Sequence, residues 1–368
     1  MLLHDLRYAL GCMRREPLLT ATIILTLALG IGLNLSIFIV VDGLMFRARV
    51  DKDPQRFVHL SPVYRFASGY KQSDIGMPWA ISALDYKAYS ANARTLQQLA
   101  AWDTVHGTLE RDQGDQVLAM LVTCNFFSVY GLDRVPRGRL FSPAECSQPG
   151  GAPVVLLSEE IWRDRFGADP GILGKHIRFN RIPFTVIGLV PQGFLGRLRG
   201  PGIWFPYTMQ PAFYHGRSFF QDSTRWLTAE GRLTPGAARE DAQAELSVLA
   251  SRQDAFEPGR QTTMVLTNGS FGEEPSMRGA LFWIGPLIMG ALTLILVIAC
   301  LNVVVLQLSR SLSRRREMAV RISLGAGRAR LVRMLLTEMF LLASVSSALS
   351  AIVAFRAPAL LLKTLGAP

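Results

Sequence analysis

Three stretches of this chain lack any charged side chain over lengths that ordinary soluble folds rarely use, and they constrain everything else. Residues 18–41 form an uncharged apolar run of 24, residues 281–308 one of 28, and residues 339–355 one of 17. A helix rises about 1.5 Å per residue and a bilayer's hydrocarbon core is about 30 Å thick, so the first two are long enough to span and the third sits at the short end. Leu335 and Leu336 extend the third on its near side. A cleaved signal sequence usually has an apolar region of only about 7–15 residues followed by a small-residue cleavage site; the first run is longer and lacks that site, so it reads as a retained anchor. Between the first two runs, residues 42–280 have the mixed composition of a globular domain.

Charge sets the orientation. The net charge is +11, which would point to nucleic acid if it were spread over a folded domain. Its location excludes that reading: residues 309–338 carry eight arginines against only Glu317 and Glu338, whereas residues 42–280 are nearly balanced. A short arginine-rich connector between two spans marks the cytoplasmic side. The expected layout is a cytoplasmic amphipathic helix at 1–17, transmembrane helix 1 at 18–41, an extracytoplasmic domain at 42–280, transmembrane helix 2 at 281–308, a cytoplasmic loop at 309–338 and transmembrane helix 3 at 339–362. Ala28, Gly32 and Ser36 in the first span, and Ala343, Ser347 and Ala351 in the third, recur every four residues and predict close helix packing.

Of the four cysteines, Cys12 falls on the cytoplasmic side and Cys300 within a span, leaving Cys124 and Cys146 in the outer compartment. The two are free to pair there, but spacing alone does not decide it.

The domain at 42–280 mixes strand-like and helix-like pieces, which predicts an α+β fold. Strands are expected at 56–60, 116–123, 153–157, 225–233 and 262–267, a hairpin at 176–189 turning at Asn180 and Arg181, and helices at 80–92, 159–166 and 235–251. Ser158 reads as the N-cap of the second helix. The strand-helix-strand pieces at the two ends are expected to pack together, with residues 96–222 as a second subdomain.

Motifs for chemistry are absent from the sequence. It has no G-x-x-x-x-G-K-[ST] phosphate loop, no H-E-x-x-H, no C-x-x-C and no G-x-S-x-G. No catalytic, metal or cofactor-binding residue is nominated, and the five tryptophans of the domain read as core. The informative segment is the basic connector. Residues 314–324 predict a short helix with Met318 and Ile322 on one face, ended by Gly325, and a second helix starting near Gly327 continues into the third span.

Asp5-Leu-Arg-Tyr-Ala-Leu10, Leu25-Thr-Leu-Ala-Leu-Gly-Ile-Gly-Leu-Asn34, Asn125-Phe-Phe-Ser-Val-Tyr-Gly131, Phe184-Thr-Val-Ile-Gly188 and, most specifically, residues 314–338 resemble the MacB-like and FtsX-like class of ABC-transporter permeases. The resemblance implies an α-helical membrane protein of the bacterial cytoplasmic membrane, with an α+β porter-like domain and inserted subdomain between the first two of four spans. It implies pairing with a second permease half or as a homodimer, and an inner loop that docks on a cytoplasmic ABC ATPase, which alone binds ATP. Carried onto this chain, Met318 and Ile322 would seat in the ATPase, while Arg314, Arg315, Glu317 and Arg321 border that contact. The chain has no ATPase domain of its own and reaches Pro368 before a fourth span, as expected for a fragment or for the leading half of a longer permease. The competing expectations are a non-transporting membrane scaffold that recruits a cell-envelope protein, and an outward-facing enzyme.

Overall fold

The computed structural model describes residues 11, 17–45, 50, 52–67, 77–109, 116–191, 194, 202–270, 272–275, 278–313 and 328–364. The chain separates into two compact units: a helical one, residues 1–44 with 279–367, and a sheet domain, residues 45–278. Apart from Gly11 and Pro17, the amphipathic helix expected at 1–17 lies outside the described residues.

In the helical unit, α1 is Pro17–Met45. Its segment Pro17–Ile39 is long and apolar enough to cross a membrane, and so is Phe282–Ser309; Leu336–Ile352 is a shorter apolar helix segment. Two polar side chains of α1 are satisfied locally: Ser36 Oγ donates to Gly32 O at 2.7 Å and Asn34 Nδ2 to Gly30 O at 2.8 Å. Such back-bonding removes the cost of a bare polar group in an apolar medium. Thr20, Ile23, Ala28, Gly30, Gly32 and Ser36 make up the covered side of α1, so its small-residue row is where the packing occurs. A Cβ placed on Gly30 would come within 2.9 Å of Ala299 Cβ.

In the third apolar segment the covered row is Leu342, Ser346, Ser350 and Ala354, with Ser350 Oγ donating to Ala28 O at 3.1 Å. The expected row is offset by one residue: Ala343 and Ser347 are exposed and Ala351 is half-buried. Small residues four apart occupy two adjacent rows of this helix, and the sequence pattern does not distinguish them.

In the sheet domain, eleven strands among the described residues join one mixed sheet. β1 is Phe57–Phe66, β2 Ile81–Ser82, β3 Leu96–Thr108, β4 Gln116–Val122, β5 Arg137–Gly138, β6 Val154–Ser158, β7 His176–Phe179, β8 Ile182–Val190, β9 Ile203–Pro206, β10 Arg225–Leu233 and β11 Arg260–Thr267. Helices α2 (Ala83–Asn92), α3 (Phe126–Val129), α4 (Glu159–Phe166), α5 (Gln210–Phe213) and α6 (Arg239–Asp254) lie between them. The strands run β11-β1-β10-β3-β4-β9-β6-β8-β5, with β2 beside β10 and β7 beside β8. Four antiparallel neighbours, β11-β1-β10-β3, with α2 between β1 and β3 and α6 between β10 and β11, form two interleaved strand-helix-strand units.

Strands β4–β9 are an insertion between β3 and β10, while the short β2 precedes α2 and pairs with β10. The boundary expected at residue 96 is moved by β3. Its first half pairs with β10 through Leu96–Trp102 and its second half with β4 through Trp102–Thr108, so one strand belongs to both halves.

Alternation along each strand feeds two cores, one per face. Val58, Leu60, Leu99, Ala101 and Leu227 pack with Tyr86, Tyr89, Leu246 and Leu249 of α2 and α6. Phe57, Ala100, Met120, Val122 and Trp204 pack on the other face with Phe126, Phe127 and Val129 of α3. A sheet covered on both sides explains why β10 is buried along its whole length.

The helix-covered face is pinned by a buried ionic knot. Arg260, at the start of β11, places Nη1 and Nη2 3.1 Å from the two oxygens of Asp85, Nε 2.6 Å from Asp254 and Nη1 2.7 Å from Glu257. Asp85 also closes the N-terminus of α2 in a capping box with Ser82. Arg225 lies over the rings of Tyr64 and Phe66 at 4.7 and 4.8 Å.

Candidate functional site

Arg314, Arg315, Glu317, Met318, Arg321 and Ile322 lie outside the described residues. The structure places their flanks: α7 is Arg278–Ser313 and α8 is Arg328–Thr364. Each helix is about 55 Å long at 1.5 Å per residue, longer than a hydrocarbon core of about 30 Å.

The sulfurs of Cys124 and Cys146 are bonded, with Cα atoms 6.0 Å apart. The bridge ties the end of β4 to the turn Pro143–Cys146. Glu145 in that turn accepts from Ser142 N at 2.7 Å and pairs with Arg139 at 2.7 Å. Burial opposes ionisation of Glu145, but the Arg139 and Ser142 donors outweigh it and hold the carboxyl below its usual range.

The most concentrated polar site is one the sequence reading missed. On the face opposite α2 and α6, His59 of β1 stands directly across from Glu230 of β10. His59 Nδ1 is 3.1 Å from Glu230 Oε1, and its Nε2 is 3.7 Å from Glu274 Oε2. Glu230 Oε2 accepts from Trp102 Nε1 at 3.1 Å and from the Tyr130 hydroxyl. Glu274 Oε2 accepts from Ser61 Oγ at 2.6 Å. Glu230 is 0% exposed, His59 1% and Glu274 5%, so these groups have replaced water by one another. A glutamate inside a strand otherwise legible as buried was the available signal. The two ring nitrogens face different carboxylates, so no donors converge on one point. Among the described residues no group of three or more His, Cys, Asp or Glu side chains is arranged to hold a metal ion.

Asp103 is a second titratable outlier. It sits on β3 beside Trp102, where that strand leaves β10 for β4. Burial pushes its carboxyl up to about 7, against weaker opposing hydrogen bonds from Thr104 N and from Tyr214 Oη, 3.4 Å away. Four of the domain's five tryptophans are core residues: Trp79, Trp162, Trp204 and Trp226 are buried, and Trp162 donates to Asp169 O at 2.8 Å.

A family described as MacB-like periplasmic core domain matches residues 20–249, and one described as FtsX-like permease C-terminal matches residues 289–365. The chain therefore belongs to the MacB/FtsX-like family of ABC-transporter permeases. It is similar to the macrolide export ATP-binding/permease protein MacB of Burkholderia thailandensis, 26% identical over 215 residues covering 58% of this chain and 31% of that protein. With the protein of the same name from Neisseria gonorrhoeae it is 25% identical over 220 residues, 59% of this chain and 32% of that one. The chain thus matches about a third of these relatives' length. Among solved structures, the periplasmic region of MacB from Actinobacillus actinomycetemcomitans aligns at 17% identity and a TM-score of 0.44, covering 62% of this chain and 94% of that one. The extracellular domain of the noncanonic ABC-type transporter YknZ from Gram-positive bacteria aligns at 14% identity and 0.42, covering 56% and 98%.

Proposed function

We propose that this chain is the membrane-spanning permease component of an ABC-type exporter or mechanotransmission system. ATP hydrolysis by a separate cytoplasmic ATPase is transmitted through its helices to the sheet domain on the other side of the bilayer. In this reading the chain is multi-pass in a bacterial cytoplasmic membrane, with residues 42–280 outside. Residues 18–41, 281–308 and 339–362 span, and ATP is bound by the partner alone. A second permease half or a second copy completes the assembly.

One observation carries the reading: eight arginines against two glutamates in residues 309–338, set between two helices and inside the segment matched as FtsX-like permease. An arginine-dense connector is retained on the cytoplasmic face. Residues 328–335 of α8 add about 12 Å of helix before the apolar segment at Leu336, without a break. A push on the connector therefore enters the membrane along a continuous rod. Met318 and Ile322 supply the apolar anchors for the ATPase, with Arg314, Arg315, Glu317 and Arg321 around them.

Co-purification of the full chain with its cognate ATPase tests this. Met318→Asp with Ile322→Asp is expected to lower recovery of the ATPase at least about tenfold, since charged groups would replace two buried anchors. Unchanged recovery would remove the coupling assignment.

A further inference from the structure

The two chain segments that join the sheet domain to its helices are anchored on different parts of that domain. On the α1 side, Val50 is buried in the core formed with α3, and Lys52 O accepts from Arg232 Nη2 at 2.8 Å. The same guanidinium donates through Nε to Val129 O at 2.6 Å, at the end of α3. On the α7 side, β11 ends at Thr267 and the chain turns through Asn268, whose N–H donates to Glu273 Oε2 at 2.8 Å. Arg239, at the start of α6, also donates to Glu273, at 3.3 Å. Glu274 then reaches back to Ser61 and His59 of β1, four residues before α7 begins at Arg278.

The buried polar chain connects these two anchors. Tyr130 follows Val129 directly, and its ring packs on Phe126 and Phe57 with centroids 4.6 and 5.5 Å apart. Its hydroxyl donates to Glu230, Glu230 faces His59, and His59 faces Glu274. Nδ1 of His59 lies within hydrogen-bond distance of Glu230 Oε1, at 3.1 Å, whereas Nε2 stands at the longer ion-pair range of 3.7 Å from Glu274 Oε2. The ring therefore stands between two carboxylates, one hydrogen-bonded to it and the other tied to β1 through Ser61 Oγ. Loss of either end strands a buried polar group without the partner that replaced its solvation, so the members hold or open together.

We propose that Tyr130, Glu230, His59 and Glu274 are a clasp that fastens the roots of α1 and α7 into one rigid block. Displacement of either helix then reaches both halves of the sheet domain at once. The clasp is independent of any motor; its service as a transmission element rests on the proposed function.

Hydrogen exchange of the full chain in lipid nanodiscs tests the clasp. Glu274→Gln and Tyr130→Phe keep the shape of each side chain. Each is expected to speed exchange about tenfold or more both at residues 268–274 and at Gly131 and Leu132, whose amides donate to Ser128 O and Phe127 O. The double variant should open no faster than the quicker single one, because the coupling is already lost. The clasp is overturned if Glu274→Gln affects only residues 268–274, if the two effects multiply, or if exchange rises evenly over the whole domain. An intact clasp in a chain that binds no ATPase would sink the proposed function and leave the clasp standing.

Discussion

Arg260 shows how a fully buried charge sets local structure in this protein. Burial alone would lower its pKa, but Asp85, with Asp254 and Glu257, more than offsets that and holds it above its ordinary value. The arginine therefore stays charged, and its worth lies in what it satisfies: Asp85 caps α2, and Asp254 is the last residue of α6. Arg260→Met strands those carboxylates and is expected to cost about 3–5 kcal/mol. Urea denaturation of the full chain in micelles measures this by tryptophan fluorescence, since five of its six tryptophans are in the sheet domain.

Asp103 makes the opposite kind of prediction. Its folded-state carboxyl sits at about 7 rather than at the ordinary 3.8. Between those values the folded protein keeps a proton that the unfolded chain releases, so its contribution is full below pH ~4 and is lost as pH rises through ~7, at up to about 1.4 kcal/mol per unit. Asp103→Asn should flatten the stability profile over that window and raise stability at pH 8 by roughly 1–3 kcal/mol. An unchanged slope would show that Asp103 titrates normally.

At the scale of elements, the sequence exposed what periodicity and capping control. Ser158 is the N-cap of α4, accepting from Ile161 N at 3.1 Å. Asn180 and Arg181 turn the β7–β8 hairpin with φ of 51° and 67°. β3 was missed because Gln97, Gln98, Asp103 and His106 interrupt its alternation, and it earns its place only by pairing with two strands distant in sequence. The His59–Glu230–Glu274 cluster was hidden for a related reason, since its members lie about 170 and 44 residues apart and meet only when β1 pairs with β10 and the α7 root folds back. Gly107 is needed at the far end of β3: a Cβ there would stand 2.2 Å from Phe179 Cε1 and 2.6 Å from Asn180 Oδ1. Gly107→Ala should destabilise by about 1–3 kcal/mol, and adding Phe179→Leu should return part of that loss by removing the ring. Strict additivity of the two changes would place the clash elsewhere.

For the whole molecule, the family and the α+β domain between apolar segments were legible because hydropathy and charge act over tens of residues. The proposed coupling rests on a residue pattern in the connector, whose residues 314–327 lie outside the described ones. Everything proposed about transmission requires that connector to lie in the cytosol and the sheet domain to lie across the bilayer from it. Labelling of single cysteines in intact cells with a membrane-impermeant maleimide, in a background without Cys12 and Cys300, tests this directly. The native bridge is left in place. A cysteine replacing Asp169 should react before lysis, and one replacing Arg321 only after it. The reverse pattern would contradict the account.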